Sequence, residues 1–342
     1  MVRWTDYEGG ALVSGIGRRE FVISLGGGAA AAWPLVARAQ QSGKTYRIGF
    51  LGPGSYAEPE RDIDALRMGL RRLGYEEGRN TVIEYRWAEG RYDRLPELTA
   101  ELVKLNVDVL VTAGTPGALA AKQATSTIPI VLAAVGDPVA AGIVDSLARP
   151  GGNVTGLTFF FVEICAKRVE LIKEAIPALN RIAVLINPAN PSHVLALPTM
   201  QGMASALGVE LVPVETKGLD DIAATIATIP ARGARALVAI DDPLFISIAP
   251  QIAELALQNS VPMIGFKPQA EAGALMDYGV HLADLYSRSA AFVDKILRGT
   301  PPGNLPIERA IKFELVVNLK TAKRLGIELP ASVLIRADEV IE

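Results

Sequence analysis

From residue 44 onward the apolar residues follow two alternating rhythms. Short β-branched runs read as strands, and stretches whose apolar positions recur every three or four residues read as helices. Residues 46–51 (YRIGFL) form the first strand, followed by a Gly/Pro/Ser loop over 52–55. Ile63, Leu66, Leu70 and Leu73 then share one helical face, which Gly74 ends. Residues 81–87 read as a strand, and Leu95, Leu98, Leu102 and Leu105 mark a second helix. Strands over 107–112 and 129–135 come next, and 153–158 closes this first series. A second series places strands at 181–186, 209–214, 236–240, 261–265 and 274–278, with helical segments such as 164–175 between them. Buried strands separated by helices indicate parallel α/β architecture.

Two such series in one chain predict two lobes, each a doubly wound parallel sheet, joined by a hinge. The last part is less regular. It reads as a helix over 285–297, a loop over 299–303, a strand over 313–317, a helix over 319–325 and a short tail strand over 333–335. A stretch of this kind crosses back between lobes. The expected division is 45–157 plus 280–310 for lobe 1, and 158–279 plus 311–342 for lobe 2.

Composition narrows the function. Half of the 342 residues are hydrophobic and 21% are charged, a globular balance with ample core material. The net charge of −3 supplies no basic stripe to neutralise phosphates, so no nucleic-acid partner is expected. Cys165 is the single cysteine and reads as a buried small hydrophobe. The two histidines, His193 and His281, form no metal-ligand spacing, and no G-x-S-x-G elbow is present. Neither a metal nor a cofactor is expected.

The first forty residues read as an address. Arg18 and Arg19 precede an apolar run over 21–36, and Ala37-Arg38-Ala39 has the small-x-small pattern of a cleavage site. The Arg-Arg-x-Phe order resembles a twin-arginine export signal, although Gly17 stands where a polar residue is usual. The periplasm is the expected destination, with cleavage near Ala39; an N-terminal membrane anchor is the competing reading. Residues 1–16 do not resemble part of a signal. Gly26-Gly27-Gly28 lacks a preceding strand and is not taken as a phosphate loop.

In parallel α/β sheets, ligands bind outside the carboxyl ends of the strands. In lobe 1 that rule selects the loops at 52–56, 87–90, 113–117, 136–139 and 156–159. In lobe 2 it selects 187–192, 241–244, 266–268 and 277–278. Lobes that face each other would bring all of these to one cleft.

Four strand ends carry a polar residue followed by proline: Thr115-Pro116, Asp137-Pro138, Asn187-Pro188 and Asp242-Pro243. The plain explanation is that the polar residue caps a helix and proline takes its first position. The functional explanation is that a helix N-terminus suits a carboxylate. Thr115, flanked by Gly114 and Gly117, is the candidate for an anionic group. Asp137, Asp241 and Asp242 would repel a carboxylate but fix an ammonium group, so the two features together suit a zwitterion. Tyr56, Trp87, Phe159 and Tyr278 are candidates to cover an apolar or aromatic side chain, though each alone is more often core. Ser55 and Asn187 complete the candidate set. Glu89 and Asp93 read as a polar loop, and His193 as an exposed loop histidine.

Several segments carry a resemblance: AEGRYDRLPELTAELV, VTAGTPGALAAKQAT, GDPVAAGIVDSLARPGGNVTGLT, LINPANP and KFELVVNLKTAKRLGIELPASVLIRADEVIE. With these the chain resembles the ABC transporter substrate-binding proteins that include aromatic-amino-acid binders. The resemblance implies a periplasmic-binding-protein fold, hinge closure on a small-molecule ligand, and docking to a permease and ATPase in the inner membrane by a protein expected to be monomeric. It also implies that Thr115, Asp137, Asn187 and Asp241 lie at the cleft. Two segments, GPGSYAEPE and DDPLF, depart from the aromatic-amino-acid pattern, so another small carboxylate remains open as the ligand. A ligand-sensing subunit of a membrane receptor, and an α/β enzyme using paired carboxylates, are the competing functions.

Overall fold

A computed structural model describes residues 44–55 and 60–342. The expected export signal and Tyr56 lie outside the described residues. The first βα series runs β1 (Tyr46–Gly52), α1 (Glu60–Arg72), β2 (Thr81–Trp87), α2 (Leu95–Lys104), β3 (Val109–Ala113), α3 (Gly114–Ala124), β4 (Ile130–Val135) and β5 (Val154–Thr158). The second begins α4 (Phe161–Ala175), β6 (Arg181–Ile186), α5 (Pro191–Ala206), β7 (Glu210–Glu215) and α6 (Leu219–Ala227). It continues β8 (Leu237–Ala239), α7 (Pro243–Ser247), α8 (Ala249–Gln258), β9 (Met263–Gly265), α9 (Lys267–Glu271) and β10 (Met276–Val280). The C-terminal part comprises α10 (Leu282–Leu297), β11 (Glu308–Arg309), β12 (Phe313–Asn318), α11 (Leu319–Leu325), α12 (Ala331–Leu334) and β13 (Glu339–Ile341).

The strands form two sheets. Lobe 1 has the order β11-β5-β4-β3-β1-β2, and every pair in it is parallel. Lobe 2 has the order β13-β12-β10-β9-β8-β6-β7. It is parallel except where β12 returns against β10 in antiparallel register, with Met276 opposite Val317. Both sheets are buried on both faces, which explains why their strands read as continuous apolar runs. In β6, Ile182, Val184 and Ile186 enter one core, while Ala183 and Leu185 enter the other. In β1, Ile48 and Phe50 face one core and Leu51 the opposite one.

The chain passes between the sheets after β5, after β10 and after β11. At these crossings Phe160 packs on Phe313, with ring centroids 6.1 Å apart, and Tyr278 stacks on Phe313 at 6.4 Å. The tail differs from the sequence expectation. Residues 333–335 are not a strand: Pro330 starts a helical turn, and its carbonyl accepts from the Val333 amide. The tail strand lies later, at β13, in parallel register with β12.

Candidate functional site

The carboxyl ends of both sheets face each other across a cavity of about 70 Å3 open to the centres of water molecules. Lobe 1 supplies Gly54, Asp62, Trp87, Gly114, Thr115 and Tyr286 among its lining residues. Lobe 2 supplies Phe161, Ser192, Asp241, Asp242 and Ile246. A second chamber of about 290 Å3, lined by more charged residues, adjoins it and shares Asp62, Asp241, Ile246 and Leu282 with the first.

At the inner end, two helix N-termini from opposite lobes converge. α3 begins at Gly114 without a side-chain cap, which leaves its first N–H groups to other partners. Thr115 therefore does not cap the helix; it sits within the first turn. Its hydroxyl accepts a 2.7 Å hydrogen bond from Ser192 Oγ, in the first turn of α5. The cap of α5 is Asn190, not Asn187: Asn190 Oδ1 accepts from the Ser192 amide at 3.1 Å. This corner offers two hydroxyls, the uncapped first turn of α3 and the positive ends of two helix dipoles.

Aromatic walls flank it. Trp87, Phe159, Phe161 and Tyr286 line the cavity, and Trp87 rests on buried Phe50 with ring centroids 5.2 Å apart. Carboxylates stand at the junction of the two chambers. Asp62, from the first turn of α1, lines both, and burial pushes its carboxyl up to about 6 despite nearby Arg61. Asp241 also lines both, and its side chain is 13% exposed.

Arg168 holds Asp241 from behind. This arginine is fully buried within α4. Nε donates to the Tyr278 carbonyl at 2.7 Å, Nη1 to the Ala239 carbonyl at 2.9 Å, and Nη2 to Asp241 Oδ1 at 3.0 Å. Asp241 Oδ2 lies 2.7 Å from Nη1 but outside hydrogen-bond geometry. Next to this pair, Asp277 is fully buried and neither of its carboxyl oxygens has a hydrogen-bond partner. Burial, outweighing the attraction of Arg168, raises its carboxyl well above the usual range.

Asp242 is differently occupied. Its carboxylate accepts from Tyr92 Oη at 2.8 Å, Asn190 Nδ2 at 2.8 Å, Asn187 Nδ2 at 3.3 Å and the Leu244 amide at 3.0 Å. It caps α7, as the Asp-Pro pattern predicts, and it is saturated by protein donors. His193 is not an exposed loop residue: it is fully buried, since α5 starts two residues before it and turns it inward. Its Nδ1 accepts from the Asn187 amide at 2.9 Å, and Nε2 faces the Asp241 carbonyl at 3.0 Å. Burial lowers its pKa, against the pull of Asp242.

Among the sequence candidates, Trp87, Gly114, Thr115, Asp241, Asp242 and Phe159 meet at the inner cavity. Ser55 lies one residue beyond the lining segment ending at Gly54. Asn187 is buried behind Asp242. Asp137 is exposed, starts no helix, and its Oδ1 accepts from the Val139 and Ala140 amides of its own turn. Tyr278 is committed to the crossing cluster with Phe313.

The sequence reasoning missed Asp62, Phe161, Arg168 and Tyr286, and it selected the loop of Ser192 without singling out that residue. Arg168 carried a signal: it occupies a core position in line with Phe161, Cys165, Ile172 and Ala175, where a charge demands a partner. Asp62 stands one turn before Leu66 on the apolar face of α1. Among the described residues, no cluster of His, Cys, Asp or Glu is placed to hold a metal ion, and no helix is long and apolar enough to cross a membrane.

Two parallel-sheet lobes closed over a cavity at their strand ends define a solute-binding architecture. The family model described as ABC transporter substrate binding protein matches residues 59–341, and the chain belongs to that family. Its members bind substrates and do not turn them over. The chain is 28% identical over 256 residues to a tyrosine-binding protein of Clostridioides difficile (strain R20291), covering 75% of this chain and 73% of that one. Among solved structures, it is similar to a conserved domain protein from Vibrio cholerae, with a TM-score of 0.82, 32% identity, and coverage of 87% of this chain and 100% of that one. It is also similar to an ABC domain from Streptococcus pneumoniae in complex with L-Trp, with a TM-score of 0.80, 26% identity and the same coverage.

Proposed function

We propose that this chain captures an aromatic amino acid, as its zwitterion, in the interlobe cavity and hands it to an importer in the inner membrane. The observation that carries the reading is the polarity of the cavity. Thr115, Ser192 and two helix N-termini suit a carboxylate at one end; Asp62 and Asp241 suit an ammonium at the other; Trp87, Phe159, Phe161 and Tyr286 flank the space between. The relatives described as binding tyrosine and L-Trp support the same ligand class. Asp242 and Asp137 have no part in it, because their carboxylates are used within the protein.

Delivery to a permease and ATPase follows from the family. The signal-like segment over residues 17–41 supports export to the periplasm. The test is a thermal-shift series with L-tyrosine, L-tryptophan, L-phenylalanine and glycine. A ligand at ~100 times its Kd adds about 2.7 kcal/mol of stability. The three aromatic amino acids shift melting and glycine does not. Failure of all three would sink the reading.

A further inference from the structure

We infer that Tyr92 is a positioning residue, the moving half of a latch that holds the two lobes closed through contacts with protein rather than with solute. Tyr92 lies in a short turn of lobe 1 just before α2. Its hydroxyl crosses the cleft to lobe 2, donating to Asp242 Oδ1 at 2.8 Å and accepting from the Leu244 amide at 3.1 Å. Its ring packs against the core of lobe 1 that holds Leu95 and Leu98, and against the core of lobe 2 that holds Leu244 and Phe245. One side chain thus joins both hydrophobic interiors and terminates on a buried carboxylate.

The seat on lobe 2 is rigid. Asp242 is fully buried, held by Asn187, Asn190 and the Leu244 amide, and it fixes the start of α7. Lobe 1 has been shaped to reach this seat. Gly90, at φ +73°, approaches so closely that a Cβ there would lie 2.6 Å from Leu244 Cδ1. Gly114, at φ +69°, would place a Cβ 2.6 Å from Pro243 Cγ. Two lobe-1 loops therefore clasp residues 242–244 with backbone, and Tyr92 hydrogen-bonds between them. Tyr92 does not line either chamber.

A contact that stabilises only the closed form multiplies the affinity for every solute by the same factor, because apparent affinity scales with the closed fraction. The latch therefore sets strength of capture and residence time, while the cavity sets selectivity. This inference uses the proposed aromatic ligands only as probes.

The experiment is Tyr92→Phe, which keeps the ring and removes the hydroxyl. L-Tyrosine, L-tryptophan and L-phenylalanine should each lose about tenfold in affinity, with their ratios unchanged and the loss in the off-rate. Unchanged off-rates would overturn the latch, as would a loss confined to one ligand, which would make Tyr92 a solute contact. If none of the three binds the native chain, the ligand proposal fails but the latch is still decided by amide exchange over residues 113–115 and 242–244. Exchange there accelerates in Tyr92→Phe if the latch holds the lobes together, and an unchanged rate overturns it. Gly90→Ala, outside both chambers, gives a second variant with the same expected pattern.

Discussion

Arg168 and Asp241 meet as a buried ion pair, with Nη1 2.7 Å from Oδ2 and Nη2 donating to Oδ1 at 3.0 Å. The arginine is fully buried while the aspartate reaches the cavity, so the pair links the core of lobe 2 to its binding face. Breaking a buried pair by removing one partner leaves the other uncompensated and costs about 3–5 kcal/mol. Arg168→Met should therefore destabilise the protein by about that amount in urea unfolding, since the Ala239 and Tyr278 carbonyls also lose their donor. Arg168→Lys retains the charge but not the planar fork, and an intermediate loss is expected. A neutral effect of both substitutions would show that the pair stabilises nothing.

Asp277 makes a prediction of opposite sign. Its carboxyl is buried beside Arg168, Asp241, Glu314 and Lys267, and its folded pKa is raised well above the ordinary value. The folded state then holds a proton that the unfolded state has released. Stability from this group is fully present below its unfolded pKa of about 3.9 and is lost as pH rises through the folded value. Asp277→Asn mimics the protonated form. The variant should gain stability over the native chain as pH increases from 5 to 8, read by urea unfolding at each pH. A constant difference across that range would mean that Asp277 is ionised throughout.

Much of the fold was legible because the strands are buried on both faces. Runs such as VLVTA in β3 and RIAVLI in β6 carry one polar residue each, Thr112 and Arg181, and show no alternation to confuse the pattern. Errors fell where local chemistry has two outcomes. Val333 and Ile335 favour strand, but Pro330 starts a helical turn ahead of them. Asp137-Pro138 has the signature of a helix start, yet its aspartate closes a turn that no helix continues. The strand-end rule located the cleft but not the direction of each side chain. It therefore grouped cavity-lining Asp241 with Asp242, whose carboxylate is saturated by its neighbours. Tyr92 and Ser192 were not singled out because their partners lie in the opposite lobe, 150 and 77 positions away in the chain, and pairing at that distance leaves no local pattern.

Asp62 should make capture depend on pH. Its carboxyl titrates near 6 because of burial, and it lines the cavity where the proposed ammonium group would sit. An ammonium favours the ionised carboxylate, so binding draws the proton off and affinity falls as pH drops below about 6. Calorimetry with L-tyrosine should show weaker binding at pH 5 than at pH 8. Asp62→Asn should bind weakly at both and show no such dependence. In the ligand-free protein the sign reverses: the raised pKa costs stability at pH 8, so Asp62→Asn should be the more stable chain there. Equal native affinity at pH 5 and 8 would remove Asp62 from the site.

Gly114 separates a cost in folding from a cost in closure. Its φ of +69° lies in the left-handed region, where any other L residue is strained by about 1–2 kcal/mol. A Cβ at this position would also stand 2.6 Å from Pro243 Cγ, an atom of a rigid ring on the opposite lobe. Opening the lobes relieves that second contact but not the first. Gly208, at φ +68°, shares the backbone conformation and has nothing within 4 Å of its would-be Cβ. Gly208→Ala should therefore lose the same stability in urea unfolding and bind solute as the native chain does. Gly114→Ala should lose a similar stability when ligand-free and, in addition, release bound L-tyrosine at least tenfold faster in stopped-flow displacement, because its closed form is the one that carries the clash. Equal off-rates in the two variants would place Gly114 outside the closing surface.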